Sequence, residues 1–183
     1  MTVDPRDELV THLGPMRAFA ISLTRNPGLA DDIVQDALVK AWSNIEKFEP
    51  GTNMRAWLFT ILRNTYYSHH RKRKREVEDV DGDMQAGLAQ KPDHDGRLQM
   101  RDFAQAFETL PEEQREALVL IGAGGFSYEE AAETCGVAIG TIKSRVNRGR
   151  ARLSELMGMA DDEPMEVTES VTQGIVALNQ GAA

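Results

Sequence analysis

The chain has 183 residues, of which 41% are hydrophobic, so it can bury a core in one large domain or in two small ones. This composition excludes collagen-like, low-complexity and wholly disordered proteins. The 29 acidic and 21 basic residues give a formal net charge of −8, which by itself argues against a nucleic-acid partner.

The charges, however, are segregated along the chain. Residues 50–75 and 134–154 contain no Asp or Glu, and together they hold twelve of the 21 basic residues. The rest of the chain is strongly acidic. We therefore expect two cationic segments in an acidic protein, and each is a candidate contact for nucleic acid.

Several other protein classes are disfavoured by the sequence. No apolar run approaches the roughly 20 residues of a membrane span, and the N-terminus lacks the basic start and apolar stretch of a signal peptide. Cys135 is the only cysteine, which excludes an intramolecular disulfide and the usual four-cysteine zinc sites. Adjacent helical residues point about 100° apart, so a zinc site at His69 and His70 is disfavoured. We expect a cytoplasmic protein without metal or cofactor.

Helical periodicity dominates, and the alternation typical of β-strands is nowhere convincing, so the sequence predicts an all-α protein. Residues 7–75 form a first helical cluster. Turns are predicted at 26–28 and 49–51, where Asn-Pro-Gly and Glu-Pro-Gly stand. These turns leave three or four helices in this cluster.

A change of composition follows the first cluster. Residues 76–96 are rich in Asp and Gly and predict a flexible acidic linker. Residues 97–157 form a second cluster of four shorter helices, and residues 158–183 form an acidic tail. The expected architecture is two small helical domains joined by the flexible linker.

The second predicted helix, which follows the turn at 26–28, has a polar face that its position does not fully explain. Acids in a first turn favour the helix dipole, which accounts for Asp31 and Asp32 but not for Asp36, one turn later. The polar face comprises Asp32, Gln35, Asp36, Val39 and Ser43, and the opposite, inward face comprises Ile33, Ala37, Ala41 and Ile45. No base, nucleophile or phosphate-binding loop accompanies these carboxylates, so we expect no enzymatic activity.

The first cationic segment interleaves bases with aromatic rings. Unstacked single-stranded bases need rings to stack on and positive charge for their phosphates. Tyr66, Tyr67 and the basic run 71–75 supply both, although half-buried tyrosines and a solvated basic helix end are the alternatives. The residues interpreted as plain core are Trp57, Leu58, Ile61 and Leu62.

The second cationic segment follows a helix-turn-helix pattern. Ser127 and Glu130 have the spacing of a capping box, and Gly136 can adopt the left-handed conformation that ends the first helix. The inward stripe of the second helix comprises Ile142, Val146, Gly149 and Leu153. The remaining faces carry bases and no acid, a surface that suits the DNA major groove.

The bases of this second helix have an alternative explanation. Cations favour the C-terminal end of a helix dipole, which accounts well for Arg150 and Arg152. It does not account for Lys143, which the sequence places in the first turn. We therefore favour DNA binding on this helix.

Five motifs, taken together, resemble the extracytoplasmic-function sigma factors of bacterial RNA polymerase. They are Asp31 to Trp42, Asn53 to Phe59, Leu110 to Arg115, Phe126 to Ala132 and Gly140 to Arg145. The resemblance covers residues 8–156 in order. It departs from the family at Asp36, where Glu is common, and this change retains the charge.

The resemblance implies a role for each cluster. Residues 7–75 would be sigma domain 2 and residues 97–157 sigma domain 4. Core polymerase would bind Asp31, Asp32, Gln35, Asp36 and Val39. The minus-ten element would contact Arg63, Asn64, Tyr66, Tyr67, Arg71, Lys72 and Arg73, with Asn64 as the base-pocket residue. The minus-thirty-five element would contact Thr141, Lys143, Ser144, Arg145, Asn147 and Arg148.

A narrower resemblance is carried by residues 50–65, which are similar to the general-stress-response, EcfG-like branch of this family. In that branch a small helical anti-sigma factor sequesters the sigma factor, and a response regulator releases it by mimicry. Core polymerase, promoter DNA and an anti-sigma factor are therefore the expected partners.

Two other functions fit part of the sequence. A stand-alone helix-turn-helix regulator would use the second cluster, but it has no need of an exposed acidic helix beside an aromatic and basic one. A protein that only mimics a sigma factor should have degraded basic faces, whereas both are intact here.

Overall fold

The computed structural model describes residues 5–78 and 95–158, with side chains for 6, 8–75 and 101–158. The described residues contain helices and no strand, which confirms the predicted all-α class. The α-helices are α1 Pro5–Leu9, α2 Leu13–Thr24, α3 Pro27–Ser43, α4 Met54–Glu78, α5 Asp95–Glu108, α6 Glu112–Gly122, α7 Tyr128–Cys135 and α8 Ile139–Met157. Two short 3-10 helices, Val10–His12 and Ile45–Lys47, follow α1 and α3.

Local hydrogen bonds fix the starts of α3 and α4, each of which follows a predicted turn. Arg25 ends α2 in the left-handed conformation, with φ +54°. The side chain of Asn26 then accepts a hydrogen bond from the Leu29 N–H at 3.0 Å, which caps α3. At α4, the Asn53 side chain accepts from the Ala56 N–H at 3.1 Å.

The core of the first cluster lies among α2, α3 and α4, which pack against one another. The residues predicted to face inward from α3 and the turn after it, Ile33, Ala37, Ala41 and Ile45, are all buried. The prediction for α4 needs a correction. Leu58 and Leu62 are fully buried, but Trp57 and Ile61 are only half-buried because they line a surface groove beside α3.

The helix-turn-helix of the second cluster is formed by α7 and α8. Ser127 accepts from the Glu130 N–H at 3.1 Å, and the Glu130 carboxylate accepts from the Ser127 N–H at 2.8 Å. Gly136 ends α7 with φ +66°. The predicted inward stripe of α8, Ile142, Val146, Gly149 and Leu153, is buried against the rest of the cluster.

The two clusters pack against each other, which the sequence did not predict. Helix α2 contacts α6, and the start of α4 contacts α7. The rings of Phe59 and Phe126 lie 5.0 Å apart across this boundary. The hydrophobic core is therefore continuous between the clusters.

The helices on both sides of the predicted linker, residues 76–96, extend into its range. Helix α4 continues to Glu78, and α5 already begins at Asp95. No helix breaker stands at 76–78, so the α4 ladder runs on past the basic run. Residues 79–94 and 159–183, which hold the rest of the predicted linker and nearly all of the predicted tail, lie outside the described residues. Within the described ranges, no helix is long and apolar enough to span a membrane.

Candidate nucleic-acid interface

The polar face of α3 is exposed, as its amphipathic pattern predicted. Asp32, Gln35 and Asp36 are all exposed, and 61% of the surface of Val39 is accessible. Trp42, which the sequence did not single out for this face, is 56% exposed at its C-terminal end. Its spacing, three residues after Val39 and seven after Gln35, places it on the same side of the helix and is the signal that could have found it. We call Asp32, Gln35, Asp36, Val39 and Trp42 the α3 face.

Asp31 differs from the α3 face because it already has an intramolecular partner. The Arg17 Nε donates to Asp31 Oδ1 at 2.6 Å, and a second guanidinium nitrogen lies 3.3 Å from Oδ2. The hydrogen bond to Asp31 raises the pKa of Arg17, although burial opposes this shift. Asp31 is therefore tied to α2, whereas Asp32 and Asp36 project from the helix.

Asn64 lies on an open groove between α3 and α4. The groove has a volume of about 360 Å³ and is lined by Lys40, Asn44, Lys47, Trp57, Ile61, Asn64, Thr65 and Ser68. The Lys40 Nζ donates to Thr65 Oγ1 at 3.1 Å across it. The lining offers two ammonium groups, two amides and an indole edge, which together suit a nucleobase and its phosphate.

Sequence reasoning missed the part of this groove contributed by α3. Lys40, Asn44 and Lys47 follow one another at intervals of four and three residues, which places them on one side of α3 and the turn after it. This spacing is the signal that could have found them. The spacing alone does not predict a groove, because the second wall is formed by α4, which packs alongside α3.

Arg63, Tyr66 and Tyr67 lie on another side of α4, against the second cluster. Tyr66 is only 5% exposed, and its O–H donates to Glu112 Oε2 at 2.9 Å. Tyr67 is half-buried beneath the Arg63 guanidinium, which lies 4.6 Å from the ring centroid. Burial, together with the nearby acids of α6, raises the pKa of both tyrosines. Asn64 is therefore exposed to solvent, whereas Tyr66 is buried.

The basic run after Tyr67 remains on the surface. Arg71, Lys72 and Arg73 are exposed along the C-terminal half of α4. Arg71 also contacts the Ser68 hydroxyl at 3.4 Å. These residues extend the positive charge of the groove along the helix.

The exposed surface of α8 carries most of the predicted minus-thirty-five residues. Thr141, Lys143, Asn147 and Arg148 are exposed, while Ser144 and Arg145 are half-buried. The predicted position of Lys143 in the first turn was wrong, because α8 begins at Ile139 and Lys143 is its fifth residue, so this base does not oppose the helix dipole. The Lys143 Nζ lies 5.8 Å from the centroid of the Tyr128 ring.

Arg145 is turned toward the packing interface between the clusters. Its charge opposes the burial-driven rise in the pKa of Glu116 and in that of Cys135. Lys143 and Arg148 are therefore more accessible than Arg145.

Family models and relatives identify the two clusters. The chain matches Sigma-70 region 2 over residues 9–76 and Sigma-70 region 4 over residues 100–153. It is 49% identical over 177 residues to the ECF RNA polymerase sigma factor EcfG of Rhodopseudomonas palustris (strain TIE-1), covering 95% of this chain and 98% of that protein.

Two solved structures are similar along most of their length. The sigma factor RpoE of Bartonella quintana, in complex with the anti-sigma factor NepR, has 54% sequence identity and a TM-score of 0.75, covering 86% of this chain and 97% of that one. CnrH, in complex with the cytosolic domain of CnrY, has 27% sequence identity and a TM-score of 0.57, covering 83% of this chain and 86% of that one. The chain therefore belongs to the extracytoplasmic-function sigma factors of bacterial RNA polymerase, in their EcfG-like branch.

Proposed function

We propose that this sigma factor divides promoter recognition and opening among three of its surfaces. The α3 face binds core polymerase, the exposed bases of α8 read the minus-thirty-five element, and the groove at Asn64 holds an unpaired base of the minus-ten strand. The basic run 71–73 supports the neighbouring phosphates. The protein itself catalyses no reaction, and it acts in the cytoplasm, where its partners are.

The observation that carries this proposal is the exposed α3 face on the same chain as the basic α8. Carboxylates such as Asp32 and Asp36 are repelled by DNA phosphates, so their partner is a protein surface. A regulator that bound duplex DNA alone would have no use for this face. The basic surface of α8 is likewise intact, which disfavours a protein that only mimics a sigma factor.

We propose further that a small helical anti-sigma factor controls the protein, within a general stress response. The support is the similarity to EcfG and to RpoE of Bartonella quintana, whose structure contains NepR. The first cluster has exposed apolar residues, among them Val39 and Trp42, which such a partner would bury in its interface.

Run-off transcription tests the proposal directly. Purified core polymerase with this protein should transcribe a candidate promoter that core alone ignores, and adding NepR should suppress the product. Binding of the duplex by the isolated protein, without any gain in transcription from core, would favour the stand-alone regulator instead. Unchanged transcription with NepR would remove the anti-sigma part of the proposal.

A further inference from the structure

The segment that follows α8 has the opposite charge to the surface of that helix. Residues 134–154 contain five bases and no acid. The acidic tail, residues 158–183, contains no Lys or Arg, and its five acids are Asp161, Asp162, Glu163, Glu166 and Glu169. Only three residues separate the two segments, so charges of equal number and opposite sign are held close together by the chain itself.

The bases at the start and middle of α8 are open to an acidic partner. Lys143 and Arg148 are exposed, and neither forms an ion pair with any described residue. The Nε of Arg150 is buried and donates no hydrogen bond within the described part of the chain. Arg152 differs, because its Nη1 donates to Glu155 Oε2 at 2.6 Å. An acid at the C-terminal end of the helix thus already pairs with the last of these bases.

The point of attachment lets the tail reach the remaining bases. Gly158 adopts φ +63°, and its N–H donates to the Glu155 carbonyl, so α8 ends there. Measured along the helix axis, Lys143 lies about 22 Å from Gly158. Glu169 follows Gly158 by eleven residues, and a chain of that length spans up to about 36 Å when extended. The acids of the tail can therefore reach every exposed base of α8.

We propose that the acidic tail docks on the exposed basic surface of α8 and competes there with DNA. Ammonium and guanidinium groups donate to carboxylates as they do to phosphates, so Lys143 and Arg148 can pair with either anion. A segment joined to its target by a short tether has an effective concentration on the order of millimolar, which lets a weak contact form. Promoter DNA displaces the tail because its charge density is much higher. The competition rests on the proposed function of α8, whereas the docking does not.

Zero-length cross-linking locates the docked tail in the full-length protein. A carbodiimide condenses a carboxylate with a neighbouring ammonium group to an amide and takes up the water that is lost, and mass spectrometry identifies the joined peptides. Lys143 is the only lysine after Lys91, so a cross-link between the tail and Lys143 reports contact with α8. We expect this cross-link in the monomer, and a minus-thirty-five duplex should reduce its yield.

A variant with all five tail acids replaced by their amides tests the competition, and it changes no residue of a described helix. At a fixed low salt concentration it should bind a minus-thirty-five duplex about three- to tenfold more tightly than the unsubstituted protein, as expected when a weak contact at a millimolar effective concentration is removed. The difference should shrink as salt rises. The matched control, which should bind like the unsubstituted protein, neutralises five exposed acids outside the tail and α8: Glu8→Gln, Glu46→Gln, Glu49→Gln, Asp102→Asn and Glu113→Gln.

Absence of a cross-link between the tail and Lys143 would overturn the proposal. So would cross-links to Lys72 or Lys74 in its place, which would put the tail on the basic run of α4. An equal gain in affinity for the control would show a general effect of net charge, and a cross-link without any gain would refute the competition. Failure of the proposed function has a different signature: the cross-link would form, but neither the unsubstituted protein nor the variant would bind the duplex.

Discussion

Asn64 and Arg63 are neighbours in sequence but serve different surfaces. Successive residues of an α-helix point about 100° apart, so α4 directs Asn64 to the groove beside α3 and Arg63 to α6. The amide of Asn64 can donate to and accept from a base edge. The adjacent guanidinium can only donate, which suits a carboxylate or a phosphate.

Replacing Asn64 with Ala should impair strand capture specifically. Core binding should stay within error, because Asn64 lies outside the α3 face, but the permanganate reactivity of minus-ten thymines should fall since the opened base loses its amide partner. Thr60→Ala, on the same helix but outside the groove, is the control. Equal reactivity in the Asn64→Ala and unsubstituted holoenzymes would place strand capture elsewhere.

Lys143 is exposed on α8, where its ammonium group can reach a base edge. A base-edge contact from α8 predicts that Lys143→Ala weakens minus-thirty-five binding by about 1–3 kcal/mol and relaxes the preference at one or two base pairs. Arg152→Ala is the control, because Arg152 lies near the far end of α8 and pairs with Glu155. A panel of promoter variants measures the preference, and uniform weakening across the panel would indicate a phosphate contact instead.

At the scale of the element, the two sides of α3 have different roles: one side packs in the core, and the α3 face is exposed to partners. Its inward residues anchor it on α2 and α4, so the α3 face can change without loss of the core. Asp32→Lys with Asp36→Lys should therefore abolish association with core polymerase while the helical circular dichroism stays normal. The matched control reverses two exposed acids elsewhere, Glu46→Lys with Glu49→Lys. Co-purification of the first double variant with core would refute the assignment of the face.

Helix α8 depends on a glycine at its closest approach to α6. A Cβ on Gly149 would lie 2.8 Å from the Leu118 Cδ1, and Leu118 is fully buried, so it has little room to yield. Gly149→Val should lower the free energy of unfolding by about 1–3 kcal/mol through overpacking. Gly140→Ala, where no atom lies within 4 Å of an added Cβ, should instead stabilise the helix by up to about 1 kcal/mol. Denaturant titration compares the two, and equal midpoints would contradict the close approach.

At the scale of the whole molecule, Arg115 connects the two clusters through backbone carbonyls. It is 2% exposed, and its Nε donates to the Ser22 carbonyl of α2 at 2.9 Å. Its Nη1 donates to the Leu110 carbonyl at 2.9 Å and to that of Glu108 at 3.2 Å. Burial, and then the charge of Arg25, lower the pKa of Arg115. The guanidinium thus satisfies carbonyl groups that would otherwise be buried without a donor.

Removing this side chain should uncouple the clusters. Arg115→Ala leaves carbonyls of both clusters without their donor, at a cost of about 1–3 kcal/mol each where they remain buried. Calorimetry should then show two separate unfolding transitions, in place of the single one expected for clusters that share a core. Arg152→Ala, an exposed arginine with only a surface ion pair, should leave the single transition in place. One unshifted transition for Arg115→Ala would show that the clusters are held together by other contacts.

Local chemistry let the sequence determine where α3 and α7 begin, where α7 ends, and which faces α3 and α8 bury. The Asn26 cap, the Ser127 and Glu130 capping box and the turn at Gly136 involve residues within a few positions of one another, and the stripes of α3 and α8 repeat with the helical period. The exposure of Asp32, Gln35, Asp36 and Val39 and the basic surface of α8 were predicted for the same reason, whereas Trp42 was not singled out.

The tertiary structure alone decided which surfaces of α4 are open and which are covered. Arg63 and Glu116 are 53 residues apart, and Tyr66 and Glu112 are 46 apart, so neither pair leaves a local pattern. The groove at Asn64 likewise depends on α3 lying alongside α4. Such contacts are set by the way whole helices pack, and propensity and periodicity describe one helix at a time without fixing what lies across from it.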